Sequence, residues 1–102
     1  MAQLKGWQKQ HLRSMAHHLK PVVQIGKNGL SDAFIAQVNK ALDDHELIKV
    51  KFQNFKDEKD DLTEQLVEKT QAEFIGALGN VLILYRQQKD KEKRLIVVPQ
   101  TK

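Results

Sequence analysis

The sequence predicts an α/β fold, a compact single domain in which helices cover a small mixed sheet, and three observations carry that expectation. Apolar residues recur at three and four in three segments and alternate or cluster in four shorter ones, giving the order α-β-α-β-α-β-β. A Gly79-Asn80 pair separates the last two short runs, a signal for a tight antiparallel hairpin. At 102 residues with 40% hydrophobic content, the chain fits one domain, which removes about two-thirds of its unfolded surface from water.

Residues 3–19 read as the first helix, with Leu4, Trp7, Leu12, Met15 and Leu19 on one arc and Lys9 and Arg13 on the adjoining flank. Lys20-Pro21 ends it, because a residue before proline is pushed out of the helical region. Pro21-Val22-Val23-Gln24-Ile25 reads as a short buried strand that delivers the chain to Gly26-Lys27-Asn28-Gly29. From Ser31 to about Asp44 the apolar residues Phe34, Ile35, Val38, Ala41 and Leu42 mark a second helix, with Ser31 as its N-cap.

Glu46 to Phe52 alternates, placing Ile48, Val50 and Phe52 on one sheet face and Leu47, Lys49 and Lys51 on the other. Asn54 to Asp61 is a charged connector, and Asp61-Leu62-Thr63-Glu64 resembles a capping box that opens a third helix running to about Gln71. Glu73–Leu78 and Val81–Arg86 form the hairpin strands. The domain is expected to span residues 1–86, and residues 87–102 to form a charged linker and tail with a possible extra edge strand at 95–98.

The Gly-x-x-Gly loop between the first strand and the second helix is the most informative motif. Its glycines let the backbone turn tightly and approach a ligand without intervening Cβ atoms, and the helix N-terminus behind it carries a partial positive charge. Asp32 is the first acidic residue of the chain, so Lys5, Lys9, Arg13, Lys20 and Lys27 precede any carboxylate. The formal net charge of +4 is unevenly divided: the segment 1–56 holds nine Lys and Arg against four Asp and Glu, and the remainder eight against nine. This asymmetry points to a one-sided electrostatic footprint for a polyanion.

The run Lys20 to Leu30, then His45-Glu46-Leu47-Ile48-Lys49-Val50-Lys51, then Val81-Leu82-Ile83-Leu84-Tyr85-Arg86, together with the basic N-terminal helix, resemble the YhbY family of bacterial proteins. These are stand-alone CRM domains, the chloroplast RNA splicing and ribosome maturation module. The resemblance spans about residues 3–86. It implies an α/β RNA-binding domain, with ribosomal RNA in precursors of the large ribosomal subunit as the partner and ribosome assembly as the role.

The candidate RNA-contacting residues are Gly26, Lys27, Asn28 and Gly29 of the loop, Lys5, Lys9, Arg13 and Lys20 of the first helix and its end, and Lys49, Lys51 and Arg86 of the strands. Each cation also has a plainer reading as part of a solvated face. Trp7 reads as core, and Tyr85 as either a base-stacking or a core-capping residue. His11, His17, His18 and His45 lack metal-ligand spacing, and there is no cysteine.

No nucleophile triad, phosphate-binding Walker loop or paired-carboxylate arrangement can be assembled, so the expectation is a non-enzyme without a cofactor or small-molecule substrate. The rival classes are a module docking on acidic proteins and an RNA-processing enzyme. No apolar run approaches the roughly 18 residues needed to cross a bilayer, and Met1 to Trp7 lacks a signal-peptide core, which makes a cytoplasmic protein without membrane contact the expectation.

Overall fold

A computed structural model of the chain describes residues 4–100. Gln3, the first residue of the expected first helix, and the outermost residues 1–2 and 101–102 of the expected domain and tail lie outside the described residues. The chain forms α1 (Gly6–Ala16), β1 (Val23–Ile25), α2 (Asp32–His45), β2 (Leu47–Phe52), α3 (Lys59–Thr70), β3 (Glu73–Leu78) and β4 (Val81–Tyr85), with short 3-10 turns at Lys56–Glu58 and Lys91–Lys93. The four strands make one mixed sheet in the order β1-β2-β4-β3, in which β1 and β2 are parallel and the other pairs antiparallel.

The alternation of β2 divides the molecule. Ile48, Val50 and Phe52 face a core built with Val23, Ile25, Leu82 and Leu84 of the sheet, Phe34, Val38 and Leu42 of α2, and Leu66 of α3. Leu47 points the other way, into a smaller cluster with Ile75, Ile83 and Tyr85, closed by Leu12 and Ala16 of α1. Burying each large aliphatic side chain in these two clusters stabilises the fold by about 1.5–3 kcal/mol. A bulge at Ile75 places Gly76 opposite Ile83 and restores the register toward the hairpin.

Two helix limits and one helix face differ from the expectation. α1 stops at Ala16 because its last turn tightens, His17 N–H bonding to Ser14 O and Leu19 N–H to Ala16 O. Val22 N–H must then reach Lys49 O to begin edge pairing, so the chain is extended by that point. The buried stripe of α1 is Gln8, Leu12 and Ala16, whereas Met15 and Leu19 stay more than a third exposed. Gln8 is buried because its Oε1 accepts Lys5 N–H and its Nε2 donates to Pro99 O.

α3 begins at Lys59 rather than beyond a cap at Asp61, and no side chain caps it. Asp60 and Asp61 sit instead in its first turn, where carboxylates favour the positive helix end.

Residues 95–98 form no edge strand. The backbone N–H groups of Leu95 and Ile96, which a ladder would need, both donate to Glu46 Oε1, and Gln88 N–H donates to Glu46 Oε2 at 2.7 Å. Ile96 and Val98 then lie on the α1 cluster. Glu46 is fully buried and has φ +63° with ψ −45°, a sparsely populated positive-φ conformation that costs a non-glycine residue about 1–3 kcal/mol. Three donors to one carboxylate offset both that strain and the loss of hydration.

Glu46→Ala should therefore lower stability by about 2–4 kcal/mol in urea denaturation. In a chain truncated after Arg86 the same substitution should cost at least about 1.5 kcal/mol less, a non-additivity that identifies the tail as the partner. Tyr85 provides a second check. Its buried hydroxyl has no hydrogen-bond partner among the described residues, and burial, helped by the Glu46 charge and opposed by Arg94, pushes its pKa up to about 12 from 10.0. The folded state thus holds the phenolic proton longer, so this contribution to stability is complete below pH 10 and is lost as pH rises toward 12, on the order of 2 kcal/mol in all. Tyr85 is the only tyrosine, so ultraviolet absorbance should show no more than about a tenth as phenolate at pH 11 while the protein is folded, and Tyr85→Phe should remove this part of the alkaline loss.

Candidate nucleic-acid interface

Three chain reversals meet at one end of the sheet. β1 ends at Ile25, whose carbonyl accepts both Gln53 N–H and Asn54 N–H from the segment after β2, and Phe52 N–H bonds to Asn80 O of the hairpin turn. The Gly-x-x-Gly loop leaves from this end as a single tight turn, with Gly29 N–H on Gly26 O at 3.0 Å. Lys27 and Asn28 form its exposed tip. Beyond it Ser31 caps α2, its Oγ accepting Phe34 N–H at 3.1 Å, so one of the first-turn donors expected to face a ligand is already taken.

The two glycines differ in why they are glycine. Gly29 has φ +60°, and the Phe55 ring lies 3.5 Å from where a Cβ would project. Its backbone demands the residue. Gly26 lies outside the left-handed region, and nothing stands within 4 Å of its Cβ position. Neither its conformation nor its neighbours among the described residues require glycine there.

The structure gathers part of the cation set near this end. Lys49 and Arg13 line one cavity of about 350 Å³, with His17 between them in the chain and at the same wall. Lys51 follows Lys49 on the same sheet face, opposite Val81, and Lys27 tops the neighbouring loop. None of these side chains takes part in the ion pairs found among the described residues. Arg13 and Lys49 are nonetheless fixed, Arg13 Nη1 donating to Ile75 O at 2.8 Å and Lys49 Nζ to Leu19 O at 3.0 Å. Each keeps further N–H donors for a ligand.

The remaining expected residues lie elsewhere. Lys5 is the N-cap of α1 and Lys9 is half-buried one turn on, near the Gln8–Pro99 contact at the other end of the helix. Lys20 borders a separate apolar groove with Met15 and Leu19.

Arg86 is a correction. Its Nη1 donates to Asn39 Oδ1 and Thr70 O, and its Nη2 to Asn39 O and Asp43 Oδ1. The guanidinium thus ties α2 to the end of α3, on the side of the sheet away from α1, and is spent on the fold. Tyr85 is core, 1% exposed, and Trp7 is half-buried. Among the described residues no group of His, Asp or Glu is arranged to hold a metal ion.

His17 was missed in the sequence, although its place four residues after Arg13 on the same helix flank is a usable signal. Gln24 was missed as well. Its side chain accepts from Gln53 Nε2 at 2.6 Å, and its partner across the parallel ladder is Lys51.

No helix among the described residues is long and apolar enough to cross a membrane. Residues 4–86 match the model of the CRS1 / YhbY (CRM) domain family. Over 91 residues the chain is 42% identical to the Bacillus subtilis protein named "Probable RNA-binding protein YqeI", a match covering 88% of this chain and 95% of that one. It is 38% identical over 96 residues to a Haemophilus influenzae protein named "RNA-binding protein", covering 93% and 97% of the two chains. The solution structure of a hypothetical protein from Staphylococcus aureus superposes with a TM-score of 0.76 at 38% identity, covering 93% of this chain and all of that one. That protein has the same α/β architecture of helices on a mixed sheet.

The contrast between the loop glycines is open to direct measurement. Gly29→Ala should destabilise the protein by about 1–2 kcal/mol, the cost of a left-handed alanine. Gly26→Ala should change stability by no more than about 0.5 kcal/mol. Thermal or urea denaturation of both variants checks the pair, and equal losses would contradict the geometry.

Proposed function

Because the chain belongs to the CRS1 / YhbY (CRM) domain family, we propose that it is itself an RNA-binding protein that grips the sugar-phosphate backbone with the 26–29 loop and the adjoining cations. Gly26 is the observation that carries this reading. A glycine with open space around it and an ordinary backbone has no purpose inside the molecule, but it has one where an external chain must pass within contact distance. Lys27 and Asn28 flank that approach, the lysine as a charge and the asparagine as a hydrogen-bond donor. Lys49, Lys51 and Arg13 extend the positive surface across the neighbouring sheet face.

The RNA in this reading is ribosomal, within maturing large subunits in the cytoplasm, a target drawn from the family likeness. The mechanism is occupancy: neutralising phosphates and holding an RNA segment while its surroundings assemble. It needs no cofactor and no bond-breaking step. The names of the curated relatives support RNA as the ligand class.

Phosphate contacts release condensed cations, so log affinity should fall linearly with log salt, and Lys27→Ala should flatten that slope by about 0.7 for a single-stranded target. Gly26→Ala, in a protein of unchanged stability, should weaken RNA binding by about tenfold. The double replacement Lys27→Asp and Asn28→Asp should abolish retention of large-subunit ribosomal RNA while native circular dichroism persists. Unchanged affinity in that folded double variant would remove the loop from the mechanism, and wild-type protein that co-sediments with large-subunit precursors only when ribosomal proteins are present would favour a protein-docking module.

A further inference from the structure

We propose that the cavity between the C-terminal half of α1 and the hairpin end of the sheet is a nucleobase site, taking one unpaired base of the RNA whose backbone the 26–29 loop holds. The inference rests on the RNA-binding reading and adds to it a preference for unpaired nucleotides.

α1 covers the Leu47, Ile75, Ile83 and Tyr85 part of its sheet face, leaving Ile83 only at the edge of the open region. Toward the hairpin the face stays open, with Leu78 82% exposed beside Val81 and Ile83 as an apolar floor. Leu78 is not isolated: it adjoins Val81 and Ile83 in one cavity lining, which makes the exposed apolar surface contiguous. The cavity of about 350 Å³ falls in the size range of small-ligand sites.

Its walls have the chemistry of a base and not of a peptide. Arg13, His17 and Lys49 stand around the apolar floor, and no carboxylate lines it. The cavity beside α3 is lined by Asp60 and Glu64 against Lys59 alone, and the one beside Arg86, although rich in lysine, includes Asp43 and Asp44 and lacks an apolar floor. Arg13 is held at the rim in a defined pose. A Cβ on Gly76 would come within 2.8 Å of Arg13 Cδ, so the absence of a side chain there lets the arginine lie flat on β3 while Nη1 grips Ile75 O. A fixed guanidinium plane over an apolar floor is a stacking surface for a base.

Register links this site to the loop. Val81 pairs with Lys51, and Lys51 with Gln24 of β1, two residues before Gly26. The row spans two strand intervals, about 10 Å, with a lysine in the middle for the intervening phosphate. That spacing suits a base in the cavity with its neighbouring phosphates at Lys51 and Lys27.

The test compares a single-stranded 12-nucleotide RNA with a 12-base-pair RNA duplex, using the full chain. Leu78→Ser removes part of the floor without changing charge, at a position exposed enough to leave the fold intact. It should weaken single-strand binding about fivefold or more and leave duplex affinity within about twofold. Methyl NMR of the wild type should show Leu78, Val81 and Ile83 shifting with the single strand and not with the duplex. Equal loss on both RNAs, no loss on either, or unshifted methyls would overturn the base site while leaving the loop mechanism standing. A wild type that retains neither RNA would overturn the RNA-binding reading, and this site with it.

Discussion

The alternation of β2 is the constraint from which the rest of the structure follows. β2 is an inner strand, paired with β1 on one side and β4 on the other, so both its faces must be covered or solvated on their own terms. Ile48, Val50 and Phe52 oblige α2 and α3 to cover one face completely. On the opposite face the strand begins with Leu47 and continues with Lys49 and Lys51, and a helix laid over those lysines would bury charges at a cost of several kcal/mol. α1 therefore sits at the Leu47 end, and the hairpin end stays open and cationic. A one-residue slip of register would send the lysines into the main core, so the open basic surface is as firmly specified as the core itself.

A single short helix over half a sheet face is a weak lid, and the tail supplies what it lacks. Ile96 and Val98 extend the apolar contact of α1, Pro99 O receives Gln8 Nε2, and the whole segment is fastened through Glu46. At the other end the helix is held by Arg13 on Ile75 O and by Lys49 on Leu19 O. These two bonds serve the surface as well as the fold. Long cationic side chains lose on the order of 2 kcal/mol of rotamer freedom when ordered, and here part of that loss is met during folding, before any polyanion arrives.

What the sequence made legible was local. Element order, the hairpin at Gly79-Asn80, the two faces of β2 and the position of the 26–29 loop follow from periodicities and turn residues within about ten positions, and all four appear in the structure. What it hid depended on distant partners. The buried stripe of α1 is rotated toward Gln8 by a carbonyl 91 residues away, and Arg86 reads as a free strand-end cation until Asn39 and Asp43 of α2 are brought beside it. Glu46 resembles an ordinary polar residue at a helix end, and nothing nearby in sequence announces the three donors that bury it. The candidate site divided the same way: the position of the loop is readable from sequence, whereas only the fold sets Arg13 and Lys49 together at one cavity and Lys5, Lys9 and Arg86 apart from it.

The net charge of +4 is modest, and its distribution matters more than its size. Apart from Asp32, which stands beside the 26–29 loop, α2 carries Asp43 and Asp44, and α3 carries Asp60, Asp61, Glu64 and Glu68, on the layer that covers the main core. α1 has no acid at all, and the open strand positions beside it are Lys49 and Lys51. A molecule so divided has a field that turns it as well as attracts it, presenting one layer to a polyanion and holding the other away. Uniform basicity would bind nucleic acid in many orientations. With most acids on the far layer, the field of the molecule would turn toward an approaching polyanion the side that carries Lys49, Lys51 and the 26–29 loop.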